Sequence, residues 1–266
     1  MRIGIAISVY DKIAEVATNV NIIRNHWKHK DVFISVCCNH KETYKKLEKL
    51  DIDSLVMGED YPVHGKPDLR LRQYDCIKKS LTEAAKNSDY VFHWHGDAYC
   101  LDSESLLEII REMITNDYLI SARGVWKNYK AFRGESKAPY GEVDDHFFCI
   151  KSDHLISSKM YNNNEQIQRI RSLGSVFASE GILAMLMQES TTEDKIFIYS
   201  DMRECEVSPD IVNDSRFFYE DNIPHRTLCP YNLDRGRKFL HSEDFDHTRR
   251  FFSELGVSTD LICENV

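Results

Sequence analysis

Asp89-Tyr90-Val91-Phe92-His93-Trp94-His95-Gly96-Asp97-Ala98-Tyr99-Cys100-Leu101-Asp102 is the stretch that decides the fold. A short apolar and aromatic run, the profile of a buried strand, ends abruptly in two imidazoles, a glycine and a carboxylate. A helical pattern follows from Asp102, which is placed to cap it. In an open α/β sheet, polar side chains at a strand's exit are where ligands bind. His95 and Asp97 are two apart and point to one side of an extended backbone, so together they could hold one divalent cation. His93, inside the strand, reads as a hydrogen-bonded core histidine. Gly96 between the pair reads as a point where a ligand can approach the backbone.

Upstream of this stretch the same alternation repeats. Ile3 to Val9 is a buried strand, and Asp11 stands where the next helix begins. Ile13, Val16, Val20, Ile23 and Trp27 then alternate spacings of three and four, one apolar stripe. Val32 to Cys37 is a second strand, residues 41–50 a charged helix, and Ser54 to Met57 a short third strand. Gly58 to Pro67, with two glycines and two prolines, is a loop. Leu71 to Lys86 is a helix, residues 89–94 the fourth strand, and residues 103–115 a further helix. Strand and helix in strict alternation predict an α/β fold, with a mainly parallel central sheet covered by helices on both faces. Residues 1–122 form this half. Residues 123–266 read as the other half of the same domain, with an irregular C-terminal lobe. There, Tyr118 to Ser121, His146 to Ile150 and Ile196 to Tyr199 look like strands, and Ser179 to Gln188 like a helix. Residues 205–238 read as loop, and a last helix starts near Glu243.

Composition narrows the chemistry. A formal charge of −9 over 266 residues argues against general nucleic-acid binding, which needs a basic face. A few arginines and a metal in a cleft still suit an anionic small substrate. No apolar run approaches the roughly 20 residues of a membrane span, and the N-terminal segment lacks a signal peptide's order of regions. The eight cysteines form no CxxC pair, so they read as buried reduced thiols of a cytoplasmic protein and not as disulfides or a zinc site. The first strand is not followed by GxGxxG, which excludes a dinucleotide fold, and neither a P-loop nor a GxSxG elbow occurs.

The order of elements and the His95-Gly96-Asp97 loop resemble the GT-A fold of nucleotide-sugar glycosyltransferases, family 2 in particular. Ser8-Val9-Tyr10-Asp11 occupies the turn after that family's first strand, and Leu71-Arg72-Gln73-Tyr74 its Arg-Asn-containing helix. His95-Gly96-Asp97 takes the place of its Asp-x-Asp motif, and Ser179-Glu180-Gly181-Ile182-Leu183 that of its Glu-Asp helix. The likeness covers about residues 2–190. It implies a metal-dependent transfer of a sugar, with inversion, from a nucleotide-sugar donor to a saccharide or lipid-linked acceptor hydroxyl. UDP is the favoured nucleotide. The alternatives are a sugar-phosphate nucleotidyltransferase and a catalytically degenerate GT-A domain that binds a partner. The nucleotidyltransferase reading lacks its Gly-rich signature after the first strand.

Carried onto this chain, the resemblance implies Asp97 as the metal ligand, joined by His95 and by a late ligand for which His241 is the candidate. An imidazole in that set favours Mn²⁺ over Mg²⁺. Ser8, Tyr10, Asp11 and Gly96 would line the donor site, with Arg70, Arg72 or Lys66 beside the diphosphate. Asp11 has a second reading as a helix cap, and the basic cluster one as a solvated helix start. Glu180 would be the catalytic base, or simply a carboxylate in a helix's first turn. Asp145, next to Asp144, is the competing base. Trp126, Tyr129, Phe132 and Tyr140 gather in a region that could stack on an acceptor sugar or pack in a core. The expected location is the cytoplasm, free or peripheral at the inner face of a membrane.

Overall fold

Seven consecutive residues, Ile3–Val9, are buried without a single exposed face, and this is the strand (β1) around which the molecule is arranged. The structure is a computed structural model that describes residues 1–62, 64–65, 68–96, 98–100, 103–124, 143–158, 160–161, 164–172, 179–201 and 217–219. For Asp144, Asp145 and Glu180 it describes the backbone alone.

The elements run β1, α1 (Ile13–Asn21), β2 (Val32–Cys38), α2 (Lys41–Leu47), β3 (Ser54–Met57), α3 (Leu69–Ala85), β4 (Tyr90–His95), β5 (Ala98–Cys100) and α4 (Ser103–Thr115). Then follow β6 (Ile120–Gly124), β7 (Val143–Lys151), α5 (Ser152–Ser157), α6 (Asn164–Ser172), α7 (Ser179–Ser190), β8 (Ile196–Asp201) and β9 (Phe217–Tyr219). Seven strands make one sheet in the order β3-β2-β1-β4-β7-β6-β8. Only β7 runs against its neighbours; the other four pairings are parallel. The mainly parallel sheet expected from the alternation is therefore present. β6 straddles residue 122, and β7 and β8 continue the same sheet.

Each face of the sheet carries its own helices. Ile3, Ile5, Ile7 and Val9 of β1 meet Val16, Val20 and Trp27 beyond α1, with Leu106, Ile110 and Met113 of α4 in the same core. The opposite face presents only small residues from β1, Gly4, Ala6 and Ser8, so α3 can lie close, with Leu71, Tyr74, Ile77 and Leu81 inward. A Cβ on Gly4 would come within 3.2 Å of Ala84 Cβ and collide with Ser88 Oγ. Leu155, Ile170 and Ile182–Met187 complete that second core.

Several boundaries differ from the sequence reading. α1 starts at Ile13 behind Lys12, and no side chain caps it; Asp11 contributes its carbonyl, which accepts from Ile13 N–H at 3.0 Å. Asp11 is thus a turn residue and not a side-chain cap. The helix ends in a π-helical turn, Ile22–His26, closed by Trp27 N–H donating to Ile22 O. α3 begins two residues earlier than its apolar pattern, because Asp68 caps it by accepting from Arg70 N–H and Leu71 N–H. The stretch 205–238, read as loop, contains β9, which pairs antiparallel with β5. Asp102 and the helix expected near Glu243 lie outside the described residues.

From β1 the chain steps to β2 and β3 on one side, then α3 carries it back to β4 on the other side of β1. The strand order therefore reverses between β1 and β4. At such a switch point the carboxyl ends of the two strands diverge and leave a crevice.

Candidate functional site

Ser8 of β1 stands opposite His95 of β4 in the parallel register, so the two strands end side by side at the switch point. Below them His93 is fully buried, its Nε2 3.2 Å from Ser8 Oγ and its ring stacked on Phe148 at 5.0 Å. That placement agrees with a hydrogen-bonded core histidine. The half-buried His95 sits one step nearer the crevice, edge-on to His93 at 5.5 Å.

Two consecutive residues of α3 reach the two strand ends. The Arg72 guanidinium lies over the Tyr10 ring, 4.1 Å from its centroid, in cation–π geometry. Gln73 Nε2 lies 3.2 Å from His95 Nε2. An amide nitrogen only donates, so in this arrangement His95 Nε2 accepts and the ring proton sits on Nδ1. Turning the amide over would present its oxygen and reverse the tautomer. In either state Nε2 is engaged by Gln73, so a metal contact would use Nδ1 or displace the amide. Tyr10, 40% exposed, has His40 tilted beside it at 5.2 Å, and Asp11 next to it is exposed. Among the described residues Arg72 makes no ion pair, although it is half-buried. Arg70, by contrast, lies 3.6 Å from its own helix-capping Asp68.

Gly96 packs closely against β1 and α1 on one side. A Cβ there would lie 3.2 Å from both Val9 Cγ2 and Val16 Cγ2, so the side facing the protein is already filled. Its N–H donates to Ser8 O at 3.0 Å, and its carbonyl accepts from Asn19 Nδ2 at 2.8 Å. The glycine is needed for close packing of the turn on α1, not for ligand approach on that side.

The loop in front of α3 is held by the buried Asp75. Its carboxylate accepts from Glu59 N–H at 2.8 Å and Tyr61 OH at 3.1 Å, and pairs with Lys79 at 2.9 Å. Burial first, and then the Asp75 charge, push the Tyr61 phenol up to about 12, so it stays a donor. Burial likewise raises the Cys38 thiol to about 11; it donates to Tyr10 O and is no nucleophile near neutral pH.

Topology brings the base candidates to this edge without fixing their side chains. Phe147 of β7 pairs with Trp94, so Asp144 and Asp145, a few residues earlier on the antiparallel strand, stand level with the end of β4. α7 ends at the opposite edge, where Ser190 Oγ lies 3.3 Å from His154 Nε2, and its first turn with Glu180 is the end away from there. Asp97, His241, Lys66, Trp126, Tyr129, Phe132 and Tyr140 lie outside the described residues. Among the described residues no three His, Cys, Asp or Glu side chains converge as a metal cage. Of the described members of the expected ligand set, only His95 stands at the crevice.

Asn19 and His40 were not singled out by sequence reading as parts of this site, and Gln73 only within the stretch that resembles the family's Arg-Asn helix. Asn19 did leave a trace: it is a polar residue inside the apolar stripe of α1. No helix of the described residues is long and apolar enough to cross a membrane.

No family model and no curated protein matches this chain. Among solved structures it is similar to the galactosyltransferase LgtC bound to donor and acceptor sugar analogues, at 13% identity over 69% of this chain and 70% of that one, TM-score 0.45. It is similar to mouse xyloside xylosyltransferase 1, at 11% identity over 74% of this chain and 84% of that one, TM-score 0.43. S. aureus TarS matches at 11% identity over 76% of this chain and 35% of that one, TM-score 0.45. These likenesses assign no residue and no chemistry to this chain.

Proposed function

We propose that this chain is a GT-A-type glycosyltransferase that moves a sugar from a nucleotide-sugar donor, UDP-linked, to a hydroxyl of a saccharide or lipid-linked acceptor, with inversion. The observation that carries the reading is Arg72. A half-buried guanidinium without an ion-pair partner among the described residues, laid on an exposed tyrosine ring at a switch-point crevice, suits an anion with a flat group attached. A nucleoside diphosphate has both.

In this reading Arg72 swings from the Tyr10 ring to the diphosphate, and Tyr10 with Asp11 borders the base and ribose. The acceptor oxygen attacks the anomeric carbon as the bond from that carbon to the β-phosphate oxygen breaks. The bonding pair stays on the diphosphate, and the acceptor proton passes to the Glu180 carboxylate, with Asp145 as the competing base. Asp97 and His95, joined by His241, would hold Mn²⁺ in preference to Mg²⁺, and the cation would neutralise charge gathering on the leaving diphosphate.

A thermal-shift panel of nucleotide sugars, run with and without Mn²⁺, tests the reading directly. A UDP-sugar should raise Tm by several degrees with Mn²⁺ present. Asp97→Ala should remove the Mn²⁺-dependent part and lower transfer at least about 100-fold. The reading fails if no nucleotide sugar shifts Tm with the metal present. Pyrophosphate release with a new nucleotide sugar as product would establish the nucleotidyltransferase alternative instead.

A further inference from the structure

The turn between β4 and β5 carries Gly96 and Asp97, and Asn19 of α1 and Trp27 just beyond it hold the chain on either side. At the near end Asn19 Nδ2 donates to Gly96 O at 2.8 Å. At the far end Trp27 Nε1 donates to Cys100 O at 2.8 Å. Both donors are buried, Asn19 and Trp27 each 1% exposed, and both bonds are to backbone carbonyls. Three residues of chain, Asp97, Ala98 and Tyr99, lie between these two fixed points.

Asn19 does not suit the interior of its helix. Asparagine is a poor residue for a helix interior, and a buried amide costs free energy unless it is bonded. One Asn19 contact stays inside the helix, to Glu15 O at 3.3 Å; the shorter one leaves it for the turn. Trp27 stands just past α1, at the end of the π-helical turn, which holds one residue more than an α-turn. Its ring meets Trp94 edge-on at 6.2 Å, so packing fixes the direction of its N–H. His29 N–H donating to Ser103 Oγ at 3.2 Å adds a third tie, just beyond the turn.

We infer that Asn19 and Trp27 are positioning residues, whose role is to fix the chain on either side of Asp97, at Gly96 and at Cys100, in one conformation. The functional half of this inference rests on the donor-site reading above; the geometric half does not. Because Gly96 is also held by Ser8 O and packed against Val9 and Val16, the turn starts from a rigid base. Deleting either donor frees one end of the turn without touching a group that would contact the donor.

Hydrogen–deuterium exchange on the full-length, metal-free protein tests the geometric half. Asn19→Ala should speed exchange in the peptide spanning residues 96–102 on the order of 5- to 10-fold, with β1 and the rest of β4 still protected. Trp27→Phe, which keeps an aromatic ring and removes the N–H, should do so at the 100–102 end. Exchange that rises equally across α1 and β1, or not at all near residue 96, overturns the inference. Should Asn19→Ala fail to fold, Trp27→Phe decides alone by the same criterion.

Turnover is read separately. Asn19→Ala should lower kcat roughly 10-fold, with the donor KM within about 2-fold, as supporting residues around a site typically do. Unchanged kcat alongside a loosened turn overturns the positioning role. If Asp97→Ala leaves transfer intact, it is the donor-site reading that falls, and the exchange result still decides what Asn19 holds.

Discussion

At the edge of the sheet where β1 and β4 begin, Arg2 lies over the Phe33 ring at 5.3 Å and 3.5 Å from the Asp31 carboxylate. Its backbone N–H donates to Asp89, and Asp89 N–H donates back to Arg2 O. At the edge where the same strands end, Arg72 lies over Tyr10 at 4.1 Å, and among the described residues no carboxylate pairs with it. Both cations use an aromatic ring as a shelf. One has its anion built into the chain and closes the edge; for the other, the proposed function supplies the anion from a bound donor. In that reading the same local device is structural at one end of a strand pair and receptive at the other.

Truncating the two arginines should break this contrast if it is wrong. Arg72→Ala should weaken nucleotide-sugar binding about 10- to 100-fold, the range for losing hydrogen bonds to a charged partner. Arg2→Ala should leave binding unchanged and lower Tm by a few degrees at most, because exposed pairs contribute little. Arg72→Lys should recover only part of the loss, since an ammonium neither forks onto phosphate nor stacks as a guanidinium does. Equal effects of Arg2→Ala and Arg72→Ala on isothermal titration would erase the distinction between the edges.

The glycines sharpen it further. Gly4→Ala and Gly96→Ala both push a Cβ into filled space and should each cost about 1–3 kcal/mol of stability, read as Cm in urea. Only Gly96→Ala, at the receptive edge, should also weaken donor binding. A Gly4→Ala protein with impaired donor binding would show that the two edges are mechanically coupled.

The smallest effect belongs to His154 at the closed edge. Burial first, then Lys151, holds its imidazole below the ordinary 6.5. The folded state therefore takes up its proton later than the unfolded chain. Stability from this residue is complete above about pH 6.5 and falls as pH drops toward the lowered folded value. A Tm series from pH 7.5 to 5.5 should decline less steeply in His154→Gln, while donor binding keeps its own pH profile.

Much of the layer structure was legible because burial on both faces leaves uninterrupted apolar runs. β3 spans Ser54–Met57 as read, and the stripe Ile13-Val16-Val20-Ile23-Trp27 is the packed face of α1 and its extension. Ser8, Tyr10 and Arg72 were named through the resemblance and His95 from its place at the end of a strand. What could not be read was how they meet. Gln73 reaches His95 and Arg72 reaches Tyr10 only because α3 returns across β1, a tertiary fact without local signal. The packed side of Gly96 was not legible, because it is formed by Val9 and Val16, distant in sequence. Three-residue strands such as β5 and β9 carry no periodicity at all.

The pairing of β5 with β9 sets an order of events during synthesis. Ala98 meets Tyr219 and Cys100 meets Phe217, partners more than a hundred residues apart. Closing so long a loop comes late in folding, after the parallel strands of the first half have found each other. A nascent chain can therefore hold Ser8, Tyr10, Arg72 and His95 at the crevice while the strand leaving the Asp97 turn still waits for its partner. The β5–β9 pair can form only when the last fifth of the chain has been made.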